Sequence, residues 1–175
     1  MTSIKRRIRE AAKVAPIETE SPEARMDAAI ERKILDLLDE HRIMTVATLR
    51  PDGWPQATTV GYVNMGLAIY FFCASDSQKA GNLAADDRIS LTIARDVSDL
   101  TAIRGLSMAA HAEQIIDPNE VRRIVELLPM KFPEHAGMAI LAPSPERTLL
   151  FRARPTVISV IDYRQGFGHS DLVTV

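Results

Sequence analysis

Hydrophobic and polar residues alternate through the middle of the chain, a pattern that predicts β-strands. The segment Ile43–Leu49 (IMTVATL) is rich in β-branched residues and ends at the turn Arg50-Pro51-Asp52-Gly53. A second strand is predicted over Gln56–Val63, so that the two form a hairpin. After the turn at residues 64–66, Leu67–Cys73 is predicted as a third strand. Tight turns between three strands indicate an antiparallel meander.

Helical spacing replaces this alternation on either side of the meander. Before it, Ser21-Pro22-Glu23 combines a capping Ser, a Pro at the first helical position and an acid, which predicts a helix start. The apolar positions of this helix lie on one face, and the helix is predicted to end near His41-Arg42. A short helix is predicted over Ser77–Ala85. A third is predicted to begin at Asp117-Pro118-Asn119-Glu120 and to be stopped by Pro129.

Four further strands complete the predicted order. They are Ile89–Ala94, Leu106–Ile116, and the pair Leu149–Arg152 and Thr156–Ile161, which Pro155 separates. Many strands with only peripheral helices suggest a mainly β protein built as a small closed barrel, since closure removes exposed strand edges. We expect one domain over residues 21–175 after an N-terminal arm of residues 1–20. A solvated tail or a helix that embraces a partner is favoured for this basic arm over a nucleic-acid contact.

Composition and charge exclude several classes of protein. Hydrophobic residues make up 46% of the chain, as in ordinary globular proteins, and the net charge is −2. This balance gives no case for nucleic acid or an anionic membrane as partner. The single cysteine, Cys73, allows no intramolecular disulfide, and no signal-peptide pattern follows the basic N-terminus. The longest apolar run, Leu67–Ala74, is too short to cross a bilayer as a helix, so we expect a cytoplasmic protein.

The start of the short helix carries the candidate chemistry. The usual nucleophile, zinc and nucleotide motifs are absent, and the histidines lack metal-ligand spacing, so no metal is expected. By contrast, Lys79 follows Ser75, Ser77 and Gln78 at a predicted helix N-terminus. Backbone N–H groups, hydroxyls and a nearby Lys can bind a phosphate. An ordinary capped helix with an exposed Lys is the alternative reading.

Two runs of sequence resemble the pyridoxamine 5′-phosphate oxidase-like flavoproteins, which are FMN-binding split β-barrels. They are IMTVATLRPDGWPQATTVGYV and LAIYFFCASDSQKAGNLAADDRISLTIA, and a later G-x-A-E pattern survives as Ala110-His111-Ala112-Glu113. The resemblance implies that the second strand lies along the flavin and that the turn after the third holds its phosphate. The implied cofactor-binding residues are Thr58, Thr59, Val60, Gly61, Phe72, Cys73, Ser77, Gln78, Lys79 and Asn82.

The resemblance also implies a function and an assembly. FMN would supply hydride chemistry to an oxidoreductase, and two copies would form a homodimer with both sites at the subunit interface. Thr58 and Thr59 are adjacent, so only one of them can face a given pocket, whereas Gly61 permits close approach of a ligand. No residue is assigned as a general acid or base.

Departures from the family pattern make the substrate an open question. Gln78 stands where an Arg is usual, and Gly105 stands where oxidases often offer a flavin-contacting Gln. The C-terminal Trp and the basic signature of the true oxidases are also missing. We therefore expect a substrate other than pyridoxamine 5′-phosphate. The alternatives are a deazaflavin-dependent reductase and a non-catalytic flavin- or haem-binding module.

The C-terminal tail has two open interpretations. Tyr163, Phe167 and His169 lie in a glycine-containing segment that either closes over the flavin of a partner subunit or packs on the surface. A haem-binding relative would need a His ligand over an open face, and His169 is the candidate.

Overall fold

The structure is a computed structural model that describes residues 26–135, 144 and 146–175. The predicted N-terminal arm and the predicted helix start at Ser21-Pro22-Glu23 lie outside these residues. The chain order is α1 (Ala28–Glu40), β1 (Ile43–Leu49), β2 (Pro55–Gly61), β3 (Val63–Met65), β4 (Ala68–Ala74), α2 (Gln78–Ala85), β5 (Arg88–Ala94), β6 (Arg104–Ile115), α3 (Pro118–Lys131), β7 (Thr148–Asp162) and β8 (Ser170–Thr174). Short 3-10 helices cover Leu100–Ala102, Pro133–His135 and Tyr163–Gln165.

The strands form one curled antiparallel sheet, which confirms the predicted split-barrel, mainly β fold. Their order is β2-β1-β5-β6-β7-β4-β3, and β8 also pairs with β7. Buried and exposed side chains alternate along β1 and β5, so that Met44, Val46 and Leu91 point into the main core. Ile34 and Leu38 of α1 belong to the same core. A second, smaller core lies under α3, where Ile124 and Leu128 pack against Tyr70 and Leu150.

Two predictions about the sheet are wrong: the three-strand meander and the full closure of the barrel. The predicted second strand ends at Gly61, and Val63 begins a new strand, β3. Between them Tyr62 is 1% exposed, and its hydroxyl donates a hydrogen bond to the Leu38 carbonyl at 2.8 Å. This buried anchor turns the chain away from β1, so that β4 pairs with β3 and β7 rather than with β2. The sheet therefore stays open between β2 and β4.

Both prolines that were expected to end elements lie inside them. Helix α3 continues past Pro129 to Lys131, so this proline lies inside the last turn of the helix. Strand β7 runs through Pro155 because the pairing with β6 shifts there: Ala109 faces Val157 and Ala110 faces Pro155. This β-bulge leaves Thr156 without a partner across the ladder and accommodates the proline. Strand β8, in the tail, was not predicted.

Candidate functional site

The open side of the sheet is a groove between β2 and β4, which we call the split. Cα atoms of the two strands approach within 8 Å, but no ladder joins the strands. β3 covers the neighbouring edge of β4 only over Ala68–Tyr70, so the rest of β4 faces β2 directly. The split therefore has a free strand edge on each side.

Hydrogen-bond alternation identifies the backbone groups that point into the split. Arg50 N–H bonds to the Trp54 carbonyl at 3.0 Å, and Tyr62 N–H bonds to the Arg42 carbonyl at 3.1 Å. Hydrogen-bonded pairs recur at every second residue of an antiparallel ladder, so these two bonds fix the pattern between them. In the register of the β1–β2 pair, the N–H and C=O groups of the even-numbered residues of β2 therefore point toward β1. The N–H and C=O groups of Ala57, Thr59 and Gly61 therefore point away from β1, toward the split.

The same reasoning applies to β4. Ser75 N–H bonds to the Arg147 carbonyl at 3.0 Å, so the odd-numbered residues of β4 bond to β7. The backbone groups of Phe72 consequently face the split, whereas those of Cys73 face β7. Donors and acceptors thus line both sides of the groove, as a planar ligand with polar edges would require.

Helix α2 begins directly after β4, at one end of the split. Ser77 is its N-cap: the Ser77 hydroxyl accepts from Ala80 N–H at 3.2 Å and donates to the Ala74 carbonyl at 2.7 Å. This cap confirms the predicted helix start and leaves no free hydroxyl proton on Ser77 for a ligand.

Asn82 ties α2 to β1 and β2. It is fully buried, and its amide nitrogen donates to Thr48 Oγ1 at 2.9 Å and to Gln56 Oε1 at 3.2 Å. Its amide oxygen accepts from Gln78 Nε2 at 2.9 Å. Both amide protons of Asn82 are therefore used within the protein, so this side chain stabilises the packing of α2 against β1 and β2.

Lys79 has the opposite surroundings. It is only 8% exposed, yet no hydrogen bond or ion pair joins its ammonium to any described residue. Burial lowers the pKa of Lys79, and only the Cys73 side chain acts in the other direction. The exposed Lys of the alternative reading is therefore wrong, and the position suits an anion brought by a ligand.

Cys73 and Thr58 are the other polar groups that face the core near the split. Burial raises the pKa of the Cys73 thiol, against smaller opposing effects of Ser77 and Lys79, so the thiol is protonated at neutral pH. Thr58 Oγ1 is buried without a hydrogen-bond partner. Along β2, Thr58 and Val60 are half-buried while Thr59 and Gly61 are exposed, so the two threonines face opposite sides as predicted.

Phe132 lies against Gly61 at the far end of β2. A Cβ atom built on Gly61 would lie 3.3 Å from Cζ of Phe132, which means that the absence of a side chain there makes room for this ring. No pattern in the sequence predicts this contact, because Gly61 and Phe132 lie 71 residues apart in the chain. Thr48, Gln56 and Phe132 are the site neighbours that sequence reasoning missed.

The tail lies apart from α2, on the β7–β8 side of the sheet. Phe167 is 86% exposed, and its ring centroid lies 5.4 Å from that of Tyr163. His169 Nε2 is 3.4 Å from Asp171 Oδ1. Within the described residues no group of three or more metal-binding side chains occurs, and no helix is long and apolar enough to span a membrane.

Comparison with known proteins identifies the family. The family model described as pyridoxamine 5′-phosphate oxidase matches residues 30–161. The chain belongs to this family of split barrels. The match covers β1 to β7 and both sides of the split, and no curated protein sequence matches the chain significantly.

Several solved structures share the fold. A conserved hypothetical protein of Mycobacterium tuberculosis is 25% identical, with a TM-score of 0.68 over 87% of this chain and 95% of that one. A haem-binding protein of Mycobacterium smegmatis is 23% identical, with a TM-score of 0.66, and the match covers 86% of this chain and 59% of that chain. HutZ, described as a haem storage protein of Vibrio cholerae, is 18% identical, with a TM-score of 0.61 over 82% of this chain and 93% of that one.

Proposed function

We propose that the chain binds FMN in the split and acts as an FMN-dependent oxidoreductase. The observation that carries the proposal is Lys79, a side chain only 8% exposed whose ammonium has no anionic partner among the described residues. Burial disfavours the charged form of Lys79, and a phosphate at the start of α2 would offset that cost.

The strand edges suit the rest of the cofactor. A flavin ring carries alternating donors and acceptors along its pyrimidine edge, and the backbone of Thr59 and Gly61 offers N–H and C=O groups toward the split. Phe72 offers the same groups from β4. Bound there, FMN would supply hydride transfer, while the chain would fix the ring and keep its phosphate at α2.

The substrate is a separate matter. Gly105 has no side chain that could contact a flavin, and its tight packing against the Ile93 carbonyl leaves room for none: a Cβ atom would lie 2.4 Å from that oxygen. Gln78 replaces the usual Arg and bonds to Asn82. We therefore propose a substrate other than pyridoxamine 5′-phosphate.

The test is direct. Denatured protein should release FMN that mass spectrometry identifies, or the apo form should quench the fluorescence of added FMN at micromolar protein. Neither release nor binding would contradict the proposal.

Haem binding is the second candidate, supported by the descriptions of two of the structural relatives. His169 is the candidate ligand, and Asp171 beside Nε2 would orient its ring. A deazaflavin in the same split is the third possibility. The visible spectrum separates all of them, because oxidised flavin has two bands, deazaflavin has one, and haem has a sharp Soret band.

We further propose a homodimer with cofactor sites at the subunit interface. On the outer face of the sheet, a cross-strand row joins Thr59, Thr45, Thr92, Ser107 and Ser159. The adjacent row joins Ala57, Ala47, Ser90, Ala109 and Val157. An open sheet face usually carries long charged side chains, whereas these short ones permit a second sheet to approach closely.

Light scattering tests this assembly. We expect twice the chain mass of 19.4 kDa, and a mass near 19.4 kDa would contradict the dimer. Thr92→Arg, in the middle of the small-residue face, should give the monomer, whereas Arg122→Ala on the exposed side of α3 should leave the mass unchanged.

A further inference from the structure

Phe132 connects the two sides of the split. On the β2 side its ring lies against the bare Cα of Gly61. On the β4 side it packs against the second core, which includes Tyr70 and Val63. The ring therefore closes one end of the groove, opposite the end at which α2 begins.

Contacts around the C-terminus of α3 hold this ring in place. Phe132 N–H bonds to the Leu128 carbonyl at 2.8 Å. The neighbouring Lys131 ammonium donates to the Leu38 carbonyl and lies 4.9 Å from the ring centroid of Tyr62. Glu134 forms an ion pair with Arg42. The aromatic surface is thus preorganised, which lowers the entropy cost of using it to bind a ligand.

The spacing along β2 matches a ligand with a charged end and an aromatic end. Gln56 marks the α2 end of the strand through its bond from Asn82, and Gly61 marks the Phe132 end. The two residues are five positions apart along the strand, which corresponds to roughly 17 Å at the usual rise per residue. A phosphate held near Lys79 would therefore leave an extended cofactor with its ring system pointing toward Phe132.

We propose that Phe132 is a positioning residue that packs against the ring end of the bound flavin. The inference rests on the proposed FMN function. Aromatic rings attract one another in edge-to-face and offset-stacked arrangements, so loss of Phe132 should weaken any ligand that carries the flavin ring. Lys79, at the other end, should act mainly on ligands that carry the phosphate.

The experiment uses FMN and riboflavin with wild type, Phe132→Leu and Lys79→Ala. We expect Phe132→Leu to weaken both flavins equally, by about tenfold, and to raise the residual fluorescence of the flavin bound at saturation. Lys79→Ala should weaken FMN binding much more than riboflavin binding. Unchanged affinity and unchanged bound-state fluorescence in Phe132→Leu would overturn the proposal. If wild type binds neither flavin, the proposed function itself fails, which is a different result.

Leu replaces the ring with another apolar side chain, so the second core should stay packed. Urea denaturation of apo Phe132→Leu is the control. A midpoint equal to that of wild type shows that the variant is folded, so that a change in flavin affinity reports on the binding site. Gly61→Ala provides a second test in the folded protein, because its methyl group would meet the Phe132 ring. Introduced into the wild-type chain, Gly61→Ala should weaken the binding of both flavins severalfold. Introduced into Phe132→Leu, it should have little further effect. Equal losses in the two backgrounds would show that Gly61 acts without Phe132 and would contradict the proposal.

Discussion

Asn82 and Lys79 lie three residues apart on α2, both buried, and their surroundings differ completely. Asn82 has three side-chain hydrogen bonds that reach β1, β2 and Gln78. Lys79 has none to any described residue. A folded protein satisfies its buried polar groups wherever nothing else requires them to stay free. The contrast therefore separates a group that holds the fold together from one that, in the proposed function, would meet the phosphate of a ligand.

The largest expected effect falls on Asn82. Asn82→Ala would leave Thr48 Oγ1 and Gln56 Oε1 without their donor and would detach α2 from β1 and β2. We expect a loss of about 2 kcal/mol in the free energy of unfolding, measured by urea denaturation. Gln78→Ala is the matched control, because Gln78 is exposed and loses one hydrogen bond to Asn82. Equal losses for the two variants would contradict the structural role of Asn82.

Lys79→Ala tests the other half of the comparison. Hydrogen bonds to charged groups contribute about 1.5–3 kcal/mol, so we expect FMN to bind about tenfold to a hundredfold more weakly. Riboflavin, which lacks the phosphate, should lose much less. Fluorescence titration of both flavins measures the ratio. A loss of the same size for FMN and riboflavin would remove Lys79 from the phosphate site.

The protonation of Lys79 should make this selectivity depend on pH. Burial lowers the pKa of Lys79 below its ordinary value, so its charge is lost at a lower pH than for an exposed Lys. The phosphate is already almost fully dianionic above its second pKa of about 6. The preference for FMN over riboflavin should therefore fall as the pH rises from about 7 to 10. In Lys79→Ala the ratio of FMN to riboflavin affinity should not change with pH. The same decline of that ratio in the variant would mean that another group is responsible.

A smaller effect concerns stability without ligand. Lys79→Met removes the charge of a largely buried side chain that has no described partner and keeps the apolar stem. Apo Lys79→Met should be more stable than apo wild type by about 1 kcal/mol in urea denaturation. Because the folded-state pKa is lowered, wild type gains stability as the pH rises between that pKa and the ordinary one, and the difference should shrink there. A less stable Lys79→Met would mean that the ammonium is satisfied in the apo form.

The smallest effect is expected for Gln78→Arg, which restores the cation that is usual in the family. Gln78 is exposed at the start of α2, so an added guanidinium would keep its hydration in the apo form. We expect FMN affinity to rise by about threefold to tenfold and riboflavin affinity to stay constant. Isothermal titration calorimetry measures both. No gain for FMN would place the phosphate away from the first turn of α2.

Much of the fold could be predicted because the signals are local. The Arg50–Gly53 turn, the alternation in β1 and the Ser77 cap each depend on a few neighbouring residues, and the structure has all of them. The misplaced boundaries depend on distant partners. Tyr62 ends β2 because its hydroxyl reaches Leu38, and Pro155 stays in β7 because β6 accommodates a bulge. Nothing near either residue in the chain carries that information.

The sequence by itself determined most of the elements, the capped start of α2 and the family, because turn chemistry and periodicity act over a few residues and the motifs keep their order and spacing. It also marked Lys79 and Asn82 together, without distinguishing them. Only the tertiary structure decided that Asn82 is satisfied by β1 and β2, that Lys79 is buried without a described partner, and that Phe132 meets Gly61. The physical reason is that burial and hydrogen bonding at these positions are set by strands and helices far away in the chain, which meet only when the sheet curls.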